Sequence, residues 1–443
     1  MNSPCALLED DVRVVASTGD KTPGGLGVSY FSSFKSPNTE ELNPWSLKVK
    51  GLAQWVEEGK VRLVVDAPLG PLDMYTASLH LPATPRELFL QLQGVRVESV
   101  VENLIVISTC PRLREFRGSG EYMVYNAGTK TILLAPRINW GLFGELFLTR
   151  RVVMRLHGSY FKLIMLLRGR RTGKPYVLVW WSSTSDFSME SPRHSARGKG
   201  QWEINEVCFP KDIAQYPFAI DEAFCFKDNW ACWVDLDQGI IMCDLSMNGL
   251  YCHFVPLPQK YRVTNPQMSR GRPEEYSTVA VVNGEIKLLF MDGYDDEKVP
   301  RDQVTVSTYT LSMSHGQYVW MSQEEPPFRV ADLWTDESFL AIAGLPKCLP
   351  MFPVLSPKEQ DMAYFFTSDI CSGPRNIETK GEFVLGLNMK TKKIELSSKC
   401  RPDRSYMLFP SYIAIEFRAH PPSSNMTDQG NKKLQKRWVD LLK

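Results

Sequence analysis

A short motif recurs along the chain and constrains its fold more than any other feature: two apolar segments joined by a tight polar turn. Its four copies span residues 122–134, 232–243, 309–320 and 383–396. The turns contain Asn126, Asp235, Gly316 and Asn388. Glycine adopts positive φ freely, and short Asn or Asp side chains accept hydrogen bonds from turn amides. Such turns between apolar segments are typical of β-hairpins, so the motif predicts an all-β chain.

The surrounding sequence adds further strands to each copy and predicts units of about four strands. The long interval between the first two copies has room for another unit, which residues 176–181 and 201–205 supply. A second strand pair precedes most copies, as at residues 278–290 around Asn283 and Gly284. Four-stranded repeats of about 40–50 residues are typical of β-propellers.

We therefore predict a β-propeller of about six blades. Five blades are clear in the sequence, at about residues 100–140, 150–210, 220–260, 276–330 and 348–400. A sixth would join residues 61–92 with residues 407–417, so that strands from both ends of the chain close the ring and cover exposed edges. Strand patterning leaves one alternative open, in which the chain forms two β-domains, either jelly rolls or sandwiches, with a boundary near residue 215.

The chain ends lie outside this pattern. Residues 1–60 read as an irregular N-terminal region with one strand at 12–16, and residues 61–417 as the propeller. Residues 418–443 read as a basic tail or short helix, because they carry six Lys or Arg against two acidic residues. A solvated terminus is the default interpretation of such a tail, and an anionic partner is the alternative.

Charge and leader patterns limit the partners and the compartment. The chain has 51 Lys and Arg against 50 Asp and Glu, so no overall basic field favours nucleic acid. The N-terminus lacks the basic and apolar parts of a secretory signal, and the longest uncharged segment, residues 303–323, alternates like two strands. We therefore expect a soluble protein of the cytoplasm or nucleus that does not associate with membranes.

Cysteine and histidine spacing predicts no metal site and no cofactor. The densest cysteines are Cys225, Cys232, Cys243 and Cys252, which lie among apolar residues without a Cys-x-x-Cys pair. We expect them to be reduced, buried and apolar in character. The six histidines are dispersed, at positions 80, 157, 194, 253, 315 and 420.

The middle of the chain resembles a known family. Residues 233–244 read Trp-Val-Asp-Leu-Asp-Gln-Gly-Ile-Ile-Met-Cys-Asp, and residues 253–258 read His-Phe-Val-Pro-Leu-Pro. This pattern resembles the domain of unknown function family DUF1618, a plant family expanded in grasses, with its core at about residues 220–330. His253 departs from the basic or aromatic residue usual there. The resemblance implies an uncharacterised plant protein without an established reaction, similar to the propeller domains associated with F-box proteins.

Three motifs are candidates for chemistry, and each has a structural interpretation that we favour. Asp235 and Asp237 share a strand face and could form an acid–base pair or cation site, but beside Trp233 and Gly239 they read as a blade anchor and its turn. Residues 255–258 could be a proline-rich ligand, but read as a connection between blades. The basic residues of 168–174 could hold a small anion, but read as a hairpin tip without a phosphate-loop pattern.

Three functions follow, and no catalytic residue is assigned from sequence. The leading hypothesis is a non-catalytic propeller that binds another protein through loops on one face. The second is a hydrolase or lyase with a site on the propeller axis, which predicts Asp, His or Glu side chains converging in one channel. The third is association with nucleic acid or chromatin through the basic tail.

Overall fold

The computed structural model describes most of the chain in segments. These are residues 6–9, 13–16, 54–56, 58–66, 76–81, 95–109, 122–136, 146–147, 151–157, 160–169, 176–183, 196–197, 201–209, 218–227, 229–246, 250–261, 271–315, 317–322, 327–372, 377–399 and 412–415. They are almost entirely β-structure, arranged as a β-propeller with five four-stranded blades. The predicted fold class is confirmed.

Four strands come from the N-terminal part of the chain, namely β1 (Ala6–Glu9), β2 (Arg13–Ala16), β3 (Arg62–Asp66) and β4 (Thr76–Leu81). Blade 1 contains β5 (Arg96–Val101), β6 (Leu104–Ser108), β7 (Tyr122–Asn126) and β8 (Thr131–Leu134). Blade 2 contains β10 (Val153–His157), β11 (Tyr160–Gly169), β12 (Tyr176–Ser182) and β14 (Glu203–Glu206), with the short β9 (Leu146–Phe147) paired to β11. The two-residue β13 (Ala196–Arg197) extends blade 1 by pairing in parallel with β8.

Blade 3 contains β15 (Glu222–Phe226), β16 (Trp230–Asp235), β17 (Gly239–Asp244) and β18 (Cys252–Pro256). Blade 4 contains β19 (Ser277–Val282), β20 (Glu285–Asp292), β21 (Thr305–Ser314) and β22 (Gln317–Ser322), with β23 (Phe328–Arg329) paired to β21. Two short helices, α1 (Val330–Thr335) and α2 (Glu337–Leu340), lead to blade 5. Blade 5 contains β24 (Met351–Leu355), β25 (Met362–Ser372), β26 (Ile377–Asn388) and β27 (Lys393–Lys399), and β28 (Tyr412–Ile415) follows.

The first strand of each blade lies innermost, and the inner strands contact one another in ring order: β5, β10, β15, β19, β24 and β28. Apolar side chains fill the space between neighbouring blades. One buried cluster, which includes Val153, Leu178, Trp233 and Ile241, joins blades 2 and 3 across residue 215. Because the core is continuous there, the two-domain alternative is wrong.

The ring closes between blade 5 and blade 1, and the strands there pair differently from the prediction. β28 pairs with β1, which the sequence interpretation did not identify, and it does not pair with β3 or β4, the strands that the structure describes within residues 61–92. β3 and β4 pair with each other, and β2, the predicted strand at residues 12–16, joins β4 in parallel. Strands from both ends of the chain do meet, but the four-residue β1 is too short to show alternation in the sequence.

Asx-type hydrogen bonds explain two of the predicted hairpins. Asn126 Oδ1 accepts from the backbone N–H groups of Gly128 and Thr129 at 2.9 and 3.2 Å. Asn388 Oδ1 accepts from Lys390 and Thr391, each at 3.0 Å. Both turns join the third and fourth strands of their blades, so blades 1 and 5 repeat the same local solution. The copy at residues 232–243 is offset, since it joins the second and third strands of blade 3.

The helices in the described part of the chain are all short, and none has the length and apolar character needed to cross a membrane.

Candidate functional site

The inner strands surround a cavity of about 880 Å³ on the propeller axis. Apolar side chains such as Met154, Phe224 and Val279 line its middle, and charged side chains line both ends. In the part of the chain that the structure describes, the axis therefore holds an open cavity and not a plug of apolar side chains. The enzyme hypothesis also requires Asp, His or Glu side chains that converge in this channel.

The sequence places charges at the cavity because charged residues begin or follow the inner strands. We call the end where these strands begin the leading end, marked by Arg96, Arg151 and Glu222. Two contacts show that leading ends of neighbouring blades adjoin: Arg151 Nε donates to the backbone oxygen of Asp221 at 2.8 Å, and the Thr278 hydroxyl donates to Glu222. The opposite, trailing end is lined by Glu102, Arg155 and Lys227.

Glu222 is the central side chain of the leading end. Its Oε1 accepts from Thr278 Oγ1, and its Oε2 accepts from the backbone N–H of Val279, both at 2.8 Å. The carboxylate thus joins the inner strand of blade 3 to that of blade 4 while it also lines the cavity.

Burial dominates the electrostatics of Glu222. Loss of solvent raises the pKa of its carboxyl from 4.5 to about 7, and the nearby Asp221 charge acts in the same direction. The two hydrogen bonds and the Arg151 guanidinium favour the charged form but do not overcome burial. Both protonation states of the Glu222 carboxyl are therefore populated near neutral pH.

The neighbouring carboxylates have structural partners. Asp221 Oδ2 accepts from the backbone N–H of Leu236 at 2.8 Å. Glu98 is 7% exposed and accepts from the Ser108 hydroxyl. Glu274 lies 3.4 Å from Arg272 Nε. Glu222, by contrast, bridges two inner strands, and the pKa of its carboxyl is raised to about 7.

The predicted pair Asp235 and Asp237 does not reach this cavity, and Asp235 has the structural role that we favoured. Asp235 is 1% exposed, and its carboxylate accepts from Ala219 N at 2.7 Å, Asp237 N at 3.0 Å and Gln238 Nε2 at 2.9 Å. Trp233 is fully buried between blades 2 and 3. This constellation holds the β16–β17 hairpin.

The proline-containing segment is also structural. Residues 252–256 form β18, the outer strand of blade 3, and the buried Leu257 donates its N–H to Gln238 O at 3.0 Å. Trp320 of blade 4 donates its indole N–H to Pro256 O at 2.9 Å. The segment connects two blades and is not presented as a free ligand. The basic loop at 170–175 lies outside the described residues, although the antiparallel pairing of β11 and β12 is that of a hairpin.

Among the cysteines and histidines that the structure describes, only Cys225 lines the axial cavity. Cys232, Cys243 and Cys252 are buried free thiols, whereas Cys225 is partly exposed and lines the axial cavity. Burial raises the pKa of Cys232 and of Cys252. Of the histidines, His80, His157, His253 and His315 are described, and none of these four is among the cavity-lining residues. No group of His, Cys, Asp or Glu in the described segments is arranged to hold a metal ion.

Sequence reasoning missed Glu222 and Arg151. Glu222 precedes Ala-Phe-Cys-Phe, where the strand pattern was recognised but its innermost position was not. A charged residue at the start of the first strand in several blades, as with Arg96 in blade 1, is a signal that could have indicated an axial site.

Comparisons with solved structures give matches of low identity, and no curated protein matches the chain. The β-propeller domain of the trilobed protease from Pyrococcus furiosus is 6% identical with a TM-score of 0.30, covering 67% of each chain. Polysaccharide lyase Uly1 is 10% identical with a TM-score of 0.35, covering 68% of this chain and 71% of the lyase. Arabinanase Arb43A from Bacillus subtilis is 12% identical with a TM-score of 0.29, covering 67% and 95%.

A family comparison agrees with the sequence pattern. The match covers residues 233–364, from the second strand of blade 3 to the second strand of blade 5. The resemblance stated from the sequence is thereby confirmed for this segment, whose matching family is described as "Protein of unknown function (DUF1618)".

Proposed function

We propose that the protein binds a small polar molecule in the axial cavity and that Glu222 exchanges a proton with it. The observation that supports this proposal is the position of Glu222, a carboxyl group with a pKa of about 7 on the wall of a cavity of about 880 Å³. Ligand sites in proteins are concave, largely apolar and equipped with a few convergent polar groups. Strongly perturbed carboxyl groups concentrate at such sites.

The reaction class that fits is acid–base chemistry of the hydrolase or lyase type. Protonated Glu222 can donate to a leaving-group oxygen, and ionised Glu222 can accept a proton from carbon or water. Arg151 lies close enough to lower the pKa of Glu222 and, with Arg96, supplies positive charge at the same end of the cavity. A ligand with hydroxyl groups and a carboxylate would find partners for both there.

The test is a thermal-shift screen of the full chain against neutral sugars, sugar acids, amino acids and small organic acids. We expect at least one compound to stabilise the protein, with calorimetry in buffers of different ionisation enthalpy showing proton uptake or release near pH 7. Glu222→Gln should weaken binding about tenfold or more and remove the proton linkage. Leu340→Ser, on the exposed surface of α2, serves as the control and should bind normally.

Two results would overturn the proposal. One is that no compound of these classes binds the folded wild-type protein. The other is that a ligand binds equally well, with the same proton linkage, to wild type and to Glu222→Gln. Compounds that bind are then tested as substrates. Product formation that depends on Glu222 would distinguish an enzyme from a binding protein.

A protein-binding role is the second candidate, and the outer edge of blade 4 favours it. Val319 and Met321 of β22 are 40% and 53% exposed, and they lie opposite Ser312 and Thr310 on one sheet face. In the described sheets, β22 pairs only with β21, so it is the outer edge strand of blade 4. A partner segment in extended conformation could add a strand there and cover both side chains.

This candidate is tested by selecting extended peptides against the full chain. Lysine substituted for Val319 or Met321 should abolish binding, because a charge would be placed in the new sheet contact. Met313→Lys is the matched control: Met313 is 63% exposed but pairs with Tyr318 on the opposite face. A β22 site would be contradicted if all three Lys variants lost peptide binding equally, or if none of them lost it.

A further inference from the structure

A second group of charges lies at the trailing end, between blades 2 and 3. Arg155 and His157 are two residues apart on β10 and therefore share a sheet face. Lys162 of β11 lies opposite Arg155 on that face. Arg155 Nη2 donates to Asn229 Oδ1 at 2.6 Å, so the face is directed toward the β15–β16 turn of blade 3, which also carries Lys227. We call Arg155, His157, Lys162 and Lys227 the interblade basic cluster.

Two nitrogens of the cluster are buried without a hydrogen-bond partner. They are Arg155 Nε and His157 Nε2. A buried polar atom that lacks a partner carries a free-energy cost, and each such atom in a native fold calls for an explanation. A ligand that accepts hydrogen bonds would satisfy the Arg155 donor and the protonated His157 ring together.

The positive charges also lack carboxylate partners within the described residues. Lys162 Nζ lies 5.0 Å from the centre of the Trp180 ring, and Lys227 Nζ lies 5.0 Å from that of Phe226. Two carboxylates of neighbouring strands are committed to other groups: Glu203 accepts from Trp180 Nε1, and Asp244 accepts from Ser246.

The environment of His157 also fits an anion-binding site. Burial lowers the pKa of its imidazole, and the charges of Arg155 and Lys162 lower it further. Tyr160 stacks on the ring with centroids 4.9 Å apart, which fixes its orientation. An anion beside the ring would oppose the two cationic neighbours and favour the charged imidazolium.

We propose that the interblade basic cluster binds a compact oxyanion, the phosphate or sulfate group of a small ligand. Arg155 supplies a directional donor, Lys162 and Lys227 supply charge, and His157 adds a donor once it is protonated. Arg155 and Lys227 line the opposite end of the cavity from Glu222, because β15 places about five strand residues, roughly 17 Å, between Glu222 and Lys227. Variants of Arg155 and Lys227 therefore test this proposal, and Glu222→Gln tests the proposed function.

Sulfate is the first probe, since it keeps two negative charges across the pH range in which His157 titrates. The full chain, labelled on histidine, is titrated with pH by NMR in chloride and in sulfate at equal ionic strength. His157→Gln assigns the resonance. We expect saturable sulfate binding and a rise in the His157 pKa toward or above its ordinary value of 6.5. His315, which is exposed, should show no such change.

Variants separate a site from general charge effects. Arg155→Gln and Lys227→Gln should each weaken sulfate binding about tenfold. Lys227 is exposed, so its variant tests the proposal even if Arg155→Gln unfolds the protein. Lys390→Gln removes an exposed charge from the β26–β27 turn and should bind sulfate normally.

A parallel titration with inorganic phosphate distinguishes the two ligand sources by which ion binds more tightly. The proposal is overturned if neither ion binds saturably, or if Lys390→Gln weakens binding as much as Lys227→Gln does. Binding of a short DNA duplex without binding of either ion would also overturn it, because the surface would then recognise a polymer and not a single oxyanion.

Discussion

Thr278 of blade 4 donates its hydroxyl hydrogen bond to Glu222 of blade 3 at 2.8 Å, so one bond joins two inner strands and controls the charge of the axial carboxylate. This bond favours the ionised form of Glu222. Thr278→Val keeps the shape of the side chain and removes the donor. We expect it to raise the pKa of Glu222 further above 7 and to destabilise the fold by about 1 kcal/mol.

Thr278→Ser is the matched control, because it retains the hydroxyl. A carboxyl ¹³C NMR titration of the two variants measures the effect. Equal Glu222 pKa values in the Val and Ser variants would contradict a direct role for the hydroxyl.

The pH dependence of stability reports the same group. The folded-state pKa of Glu222, about 7, is above its ordinary value of 4.5, so the folded state binds a proton more tightly than the unfolded state. This contribution is fully present below about pH 4.5 and is lost as pH rises through 7. The shift corresponds to about 3 kcal/mol.

Glu222→Gln cannot titrate and removes this dependence. Relative to wild type, we expect the variant to gain about 3 kcal/mol in free energy of unfolding between pH 4.5 and pH 8. Urea unfolding at a series of pH values measures the difference. A constant difference across that range would show that folding does not raise the pKa of Glu222.

Asp235 should be important for stability and Asp237 should not. Asp235→Ala leaves three donors without their acceptor in a site that is 1% exposed, and we expect a loss of about 3 kcal/mol. Asp237→Ala, two residues away and partly exposed, should cost less than about 1 kcal/mol. Chemical unfolding of both variants tests this, and similar losses would contradict the assigned turn function.

The sequence was sufficient to predict the blades but not the strand pairing that closes the ring. Local chemistry specified the hairpins. Asn126 in blade 1 and Asn388 in blade 5 each accept hydrogen bonds from the equivalent two backbone N–H groups of their own turns. The partner of β28 is β1, about four hundred residues away in sequence, and no local pattern identifies such a pairing.

For the candidate site, the sequence predicted what an enzyme would require but not which residues would supply it. Convergence of carboxylates on an axis was stated as a condition for an enzyme, but Glu222 and Arg151 come from different blades and meet only when the ring forms. Asp235 and Gly239, by contrast, act within one hairpin, and their structural role could be inferred from their spacing.

Gly239 illustrates the constraint within that hairpin. A Cβ atom at this position would contact the backbone oxygen of Val255 and lie 2.8 Å from Pro256 Cα. We expect Gly239→Ala to cost about 3 kcal/mol, because backbone of β18 would have to move. Gly284→Ala is the control: its φ is +78° with open space around it, so only about 1 kcal/mol of backbone strain is expected. Thermal unfolding that ranks the two variants in the opposite order would contradict the close approach of β17 and β18.

The pKa of Glu222 tests the account most directly. A carboxyl ¹³C NMR titration of the full chain, with the resonance assigned by its absence in Glu222→Gln, measures it without knowledge of the ligand. The account predicts a pKa of about 7. A value near 4.5 would show that the carboxylate is simply an ionised link between blades 3 and 4, and would remove the basis for acid–base chemistry on the propeller axis.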